Sequence, residues 1–220
     1  MTQFILMLTH DDETIGDALA IYSGLRDLDL TWVGFKDVGL PFSELRELAA
    51  AIRSDGRKLA LEVVSLDMES EIRSVKAGLE IGVDMLMGGV HPDAVLPLMA
   101  SSNVLYFPFP GRVVDHPSIL EGTVDDIVRS ARELSSRRGV HGLDLLAYRF
   151  DGNVPELMSG VVSAAAGPVV IAGSIDSPEK VEAVKRVGAW AFTVGSAVFD
   201  GQFPTAANER DQVRFVLDLL

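Results

Sequence analysis

The sequence contains no cysteine. That excludes a disulfide framework, thiolate metal ligands and a cysteine nucleophile. Basic residues are few: 19 Lys and Arg stand against 32 Asp and Glu, a formal net charge of −13. This balance argues against a general nucleic-acid or anionic-membrane surface, while leaving room for a small anion in a local pocket. No apolar run approaches the roughly 18 residues of a membrane span, so no membrane partner is expected. The opening stretch Met1-Thr-Gln-Phe-Ile-Leu-Met-Leu-Thr-His lacks a basic segment and a small-residue cleavage site. A secretory leader is therefore not expected, and a cytoplasmic protein is. Linkers, low-complexity segments, composition shifts and strict repeats are missing as well. With 220 residues, 48% of them hydrophobic, the chain can bury a sizeable core. The simplest reading is one domain over residues 1–220.

What is present is alternation. Eight short apolar runs recur: Phe4–Thr9, Thr31–Asp37, Lys58–Ser65, Asp84–Val90, Val104–Phe109, Gly142–Arg149, Pro168–Gly173 and Ala189–Gly195. Each has strand length and is apolar almost throughout, as strands buried on both faces are. Amphipathic stretches lie between them: Thr14–Arg26, a segment with Ser43 as expected N-cap, Ser70–Gly78, Asp93–Ser101, Thr123–Arg138, Pro155–Ala166, Ser177–Val187 and Asn208–Leu219. Ser177-Pro178-Glu179 reads as a cap followed by proline at the first helical position. Alternating strands and helices predict βαβ units, and eight of them predict an α/β fold, a single (β/α)8 TIM barrel with a parallel eight-stranded core. The rival, a doubly wound open sheet, would carry its phosphate glycines after the first strand. Here they come at the end of the chain.

The last two units hold the most specific motifs. Strand seven ends in Ala172-Gly173-Ser174-Ile175, and strand eight in Val194-Gly195-Ser196-Ala197-Val198-Phe199. Glycine lets the backbone approach a ligand closely, and serine adds a hydroxyl donor. In barrels, the loops after strands seven and eight form the usual phosphate site. The pattern resembles the phosphate-binding (β/α)8 barrels, the ribulose-phosphate-binding type among them. That resemblance implies that Gly173, Ser174, Gly195 and Ser196 hold a phosphate and that the partner is a small phosphorylated metabolite. Many members have Gly-Gly where this chain has Gly173-Ser174.

Period-two alternation locates charged residues inside the barrel. In Trp32-Val-Gly-Phe-Lys36, Val33 and Phe35 suit the helix layer, so Lys36 points inward at the C-terminal mouth. Leu59, Leu61 and Val63 suit the helix layer on strand three, so Glu62 points inward. Leu143 and Leu145 do the same on strand six, so Asp144 points inward, with Tyr148 above it. Buried charges are costly unless paired, and these three groups could neutralise one another. They also suit chemistry: a desolvated lysine forms a Schiff base with a carbonyl, and carboxylates move protons. A lysine ending strand two is similar to the Schiff-base lyases that condense triose phosphates. Most class I aldolase barrels carry their lysine on strand six or strand four, and here strand six offers Asp144, Tyr148 and Arg149 and no lysine. The Lys36-Asp37 and Glu62 arrangement also resembles the orotidine-phosphate decarboxylase group. The Asp-x-Lys-x-x-Asp run of that group is missing, because strand three reads Leu61-Glu-Val-Val-Ser-Leu-Asp.

His10 follows strand one and His91 follows strand four, so both are expected at the mouth as acid/base groups or substrate contacts. No His-x-His or Glu-x-x-His spacing joins them to Glu62 and Asp37, so neither a metal nor another cofactor is expected. His141 precedes strand six, at the stability face, and reads as structural. Arg149 is a candidate partner for a phosphate or carboxylate, as is Arg112, while Phe109 could wall a substrate. Met85 and Met87 read as core.

These features predict an enzyme acting on a small phosphorylated carbonyl compound, a sugar or triose phosphate. The leading expectation is aldolase-type lyase chemistry with Lys36 as Schiff-base nucleophile, assisted by Glu62 and Asp144. Two alternatives stay open. One is a phosphosugar isomerase or epimerase with a carboxylate or His91 as base. The other is a non-catalytic phosphometabolite-binding protein. Self-association into a homo-oligomer through apolar helix faces is also open.

Overall fold

Eight parallel strands form one sheet. They are β1 (Gln3–Met7), β2 (Trp32–Lys36), β3 (Lys58–Val63), β4 (Met85–Gly88), β5 (Leu105–Phe107), β6 (Leu143–Leu145), β7 (Val169–Ile171) and β8 (Ala191–Val194). The computed structural model describes residues 2–220. Neighbouring strands follow the order β6-β7-β8-β1-β2-β3-β4-β5. The two ends of that order meet through main-chain bonds: His141 N–H donates to Tyr106 O at 2.9 Å and Asp144 N–H to Pro108 O at 3.2 Å. The sheet is thereby rolled into a (β/α)8 barrel.

Helices cover the outside: α1 (Ala18–Gly24), α2 (Phe42–Ser54), α3 (Met68–Ile81), α4 (Pro92–Met99), α5 (Val124–Ser135), α6 (Val154–Ala164), α7 (Pro178–Arg186), the short α8 (Ser196–Phe199) and α9 (Glu209–Asp218). Their start signals are local. Asp67, Thr123, Asn153, Ser177 and Asn208 each accept a main-chain N–H as N-cap, an interaction worth about 1 kcal/mol. The expected cap at Ser43 is corrected: α2 begins at Phe42, and Pro41 is its N-cap, with its carbonyl accepting from Glu44 and Leu45. Among the described residues, no helix is long and apolar enough to cross a membrane.

Two apolar cores result from period-two alternation. Val33, Phe35, Leu59, Leu61, Val63, Leu143 and Leu145 pack between sheet and helices. Ile5, Met7, Trp32, Ala60, Met85, Met87, Phe107, Val170 and Ala191 fill the barrel itself. Gly34 faces inward because Met7 takes its side-chain space: a Cβ there would lie 2.5 Å from the Met7 sulfur.

Two antiparallel hairpins depart from the expected plan. The first, Thr9–His10 with Glu13–Thr14, ends at Thr14, where the first helix was expected to begin, and α1 starts only at Ala18. The second pairs Arg112–Val114 with Ile119–Glu121 after β5. Strand six is also shorter than expected. Its pairing with β7 ends at Leu145 opposite Ile171, and Ala147–Arg149 then turn as a 3-10 helix. Tyr148 and Arg149 therefore sit on that turn.

Candidate functional site

The C-terminal ends of the strands surround a small cavity with about 70 Å³ of free space. Lys36, Glu62, Arg149, Gly173, Ser174, Gly195 and Ser196 line it, together with Asp12 from the first hairpin. The sheet register builds its charged wall, since Lys36 on β2 lies directly opposite Glu62 on β3. The Lys36 ammonium is 3.4 Å from Glu62 Oε2 and 2.5 Å from Asp12 Oδ1. Asp12 was not singled out from the sequence. Asp11 and Asp12 turn the first hairpin with φ of 48° and 69°, left-handed values that aspartate tolerates better than most residues. Thr14 then staples the hairpin to β2: its hydroxyl donates to Lys36 O at 2.8 Å and accepts from Lys36 N–H at 2.9 Å. That staple sets Asp12 over the ammonium. The sequence did carry a trace of the hairpin, tandem aspartates between two threonines.

Electrostatics follow from burial and pairing. Burial pushes the Lys36 amine down, but the charges of Glu62 and Asp12 outweigh it, so its pKa is raised. Burial pushes Asp12 up, yet the Lys36 charge and hydrogen bonds from Lys36 and Ser118 bring it down to about 2. Glu62 is raised by its burial, with Lys36 opposing. Asp144 is raised well above the carboxylate range, first by burial and then by the charge on Glu62. It is fully buried inside the barrel and does not line the open cavity. Neither carboxyl oxygen has a hydrogen-bond partner among the described residues.

The loops after β7 and β8 form a different wall. Gly173 and Ser174 both have positive φ, 81° and 53°. A Cβ on Gly173 would lie 2.6 Å from Arg149 Cγ, so glycine is what lets the arginine pass. Among the described residues, the amides of Gly173 and Ser174 donate to no protein acceptor. Successive free amides in a turn form a concavity suited to an anion. Lys180 holds the turn by donating to Ser174 O at 2.8 Å. Gly195 is as confined, since a Cβ would lie 2.5 Å from Thr9 Oγ1. The Ser196 hydroxyl accepts the Asp11 amide at 3.2 Å, tying the first hairpin to this loop. Arg149 reaches the cavity with one terminal nitrogen 3.6 Å from Asp12 Oδ1. Its buried Nε has no partner among the described residues.

Other singled-out residues lie elsewhere. His10 bonds Asp200 at 2.9 Å, and that bond raises its pKa. His91 bonds the fully buried Glu71 at 2.8 Å, and Glu71 also accepts the amides of Val90 and His91. Neither histidine lines the cavity. Arg112 pairs with Glu121 on the exposed face of the second hairpin, and Phe109 is buried against Gly88. Neither of these two lines it either. His141 accepts the Tyr106 amide at 3.1 Å, a structural bond. Among the described residues no three His, Asp or Glu side chains converge as a metal site.

No family model and no curated protein matches the chain. Solved structures do match. Orotidine 5'-phosphate decarboxylase from Pyrococcus horikoshii OT3 superposes with a TM-score of 0.71 at 16% identity, over 99% of this chain and 98% of that one. The likeness is one of fold. FabK from Thermotoga maritima superposes with a TM-score of 0.61 at 15% identity, over 91% of this chain and 60% of that longer one. The first likeness places the chain among single (β/α)8 barrels.

Proposed function

We propose that this protein is an enzyme acting on a small phosphorylated carbonyl compound, and that the Lys36 ammonium stabilises negative charge developing beside the carbonyl. The observation that carries this reading is one small cavity with two walls. One wall holds a buried ammonium flanked by Asp12 and Glu62. The other offers free amides at Gly173 and Ser174, with Arg149 beside them. Phosphate in the second wall would direct the carbon skeleton toward the first. The likeness of fold to a decarboxylase of a phosphorylated substrate supports the same reading.

Lys36 is held charged by its neighbours, which suits an electrostatic or proton-donating role better than immediate attack on a carbonyl. Glu62, raised toward neutrality, is suited to move a proton to or from carbon. Isomerisation, or cleavage and formation of a carbon–carbon bond, would then share one stabilised carbanion. A covalent route is the second reading, favoured by the two carboxylates within reach of the ammonium. One of them would take its proton, the free amine would add to the carbonyl, and loss of water would leave an iminium.

The test is incubation with a pool of phosphorylated aldehydes and ketones in D2O, followed by NMR and, in parallel, by intact mass with borohydride. Deuterium uptake beside the carbonyl without a borohydride adduct is expected. An adduct mapping to Lys36 would move the assignment to the covalent route. Tight binding without exchange or turnover would make the chain a phosphometabolite-binding protein. Failure of every phosphate ester to bind would overturn the reading.

Gly195→Ala tests the phosphate wall. Its new methyl must displace Thr9 or the loop itself, given the 2.5 Å approach to Thr9 Oγ1. Displacing the cradle by some tenths of an ångström is expected to weaken phosphate-ester binding about tenfold, equivalent to ~1.4 kcal/mol. Calorimetric titration against the wild type reads this directly, and unchanged affinity would place the phosphate elsewhere.

A further inference from the structure

The second hairpin reaches over the mouth from the far side of the barrel. Its Ser118, only 2% exposed, lies 106 residues from Asp12 in sequence. Both Ser118 donors nevertheless meet the same oxygen: the amide and the hydroxyl each lie 2.9 Å from Asp12 Oδ2. That leaves Asp12 Oδ1 for the Lys36 ammonium. The hairpin is anchored at its other end by a parallel bridge between Leu120 and Phe150, next to the turn carrying Arg149. Two hairpins, one after β1 and one after β5, therefore meet at a single carboxylate.

We infer that Ser118 is a positioning residue of this site: by occupying Asp12 Oδ2 it fixes the rotamer in which Oδ1 faces Lys36, and so keeps the ammonium paired. This rests on the reading that a charged Lys36 acts in the cavity. Without the Ser118 hydroxyl, Asp12 keeps the Ser118 main-chain amide on Oδ2 and Lys36 on Oδ1, but loses one of the two donors that fix its rotamer, and the groups on its open side hold it weakly. Arg149 is 3.6 Å away, and His116 is 3.7 Å away on the exposed side, where it also faces Glu13. Glu62, the other group on the ammonium, gains nothing from a turn of Asp12, because it carries the same charge sign as Asp12. A carboxylate held by two neutral donors on one oxygen and a cation on the other has one orientation. With the hydroxyl removed, the amide alone holds Oδ2, and the carboxylate can swing further from the ammonium.

The readout is the ionisation of Lys36 itself, followed through its 13Cε shift in protein labelled at lysine, from pH 8 to 11.5. It requires no substrate. Losing one of the two donors on Asp12, an effect partly transmitted to the ammonium, is expected to lower the Lys36 midpoint by about half a pH unit in Ser118→Ala. Ser118→Thr keeps the hydroxyl and is expected to restore the wild-type midpoint. Asp12→Asn is expected to lower it further than Ser118→Ala. If the alanine variant does not fold, Ser118→Cys, close in size and a weak donor, takes its place with the same expected direction. A wild-type midpoint in Ser118→Ala alongside a lowered one in Asp12→Asn overturns the role of Ser118 alone. No change in either variant overturns the Lys36–Asp12 pairing, and the functional reading with it.

Discussion

Replacing Lys36 by methionine is expected to cost about 3–5 kcal/mol of folding stability at pH 7, because it leaves two buried carboxylates without their shared cation. The side chains of Lys36, Asp12 and Glu62 are 8%, 4% and 3% exposed, so water cannot replace the lost charge. Arg149, 3.6 Å from Asp12, restores only part of it. The pH dependence gives the mechanism its signature. In the wild type Asp12 titrates at about 2, below its unfolded value. It therefore adds stability that is present above about pH 4 and is lost as pH falls through about 2, roughly 2 kcal/mol in all. Without Lys36 the same burial raises Asp12 instead, and Glu62 rises further. Both then favour folding only when protonated, so the deficit of Lys36→Met is expected to shrink steadily from pH 7 to pH 4. Urea denaturation at several pH values measures it. A deficit below 1 kcal/mol, or one independent of pH, would show that the three groups are not coupled as described.

The pairing was half legible in the sequence. Lys36 and Glu62 were readable because large apolar neighbours flank them at period two, and only one phase of each strand suits the helix layer. Asp144 was readable for the same reason between Leu143 and Leu145. Asp12 was hidden because Asp-Asp-Glu is as good a helix start as a hairpin turn. What decides between them is the Thr14 hydroxyl bonding the main chain of Lys36, a contact across 22 residues. Ser118 lay further out of reach, since nothing local marks a loop serine as the partner of an aspartate on another hairpin. The end of strand six was overrun for a related reason. Leu146–Tyr148 remain mostly apolar, yet the register with β7 ends at Leu145 opposite Ile171, closed by Ala172 N–H on Leu145 O at 2.8 Å, and Arg149 N–H bonds back to Leu146 O at 3.0 Å. The histidines show the limit of topology. His10 and His91 do follow strand ends, but Asp200 and Glu71 hold them away from the cavity. Those carboxylates come from other segments that no alternation pattern could link to them.

Asp144 yields the second large effect, with the opposite sign. A fully buried carboxyl with both oxygens unpartnered stays protonated, because its ionised form would face burial and the charge of Glu62 together. Its folded pKa is thus raised above the unfolded value near 3.9. Stability is full below that unfolded value and declines as pH rises toward the folded one, by about 1.4 kcal/mol per pH unit. Asp144→Asn has no such dependence. Its amide is as poorly partnered as the acid, which shifts the whole curve by a constant and leaves the slope as the clean observable. The stability of Asp144→Asn relative to wild type is expected to be about 2 kcal/mol or more higher at pH 7 than at pH 4. A difference that does not change with pH would mean that Asp144 is ionised, and so has a partner. The charge of Glu62 acts on Asp144, so the barrel holds a proton just beneath the cavity that Lys36 and Glu62 line. The functional counterpart separates two roles for that proton. A variant that gains stability at pH 7 but loses turnover would make Asp144 the reserve from which Glu62 is recharged. One that gains stability and keeps full turnover would leave it a polar filler beneath a site run by Lys36, Asp12 and Glu62.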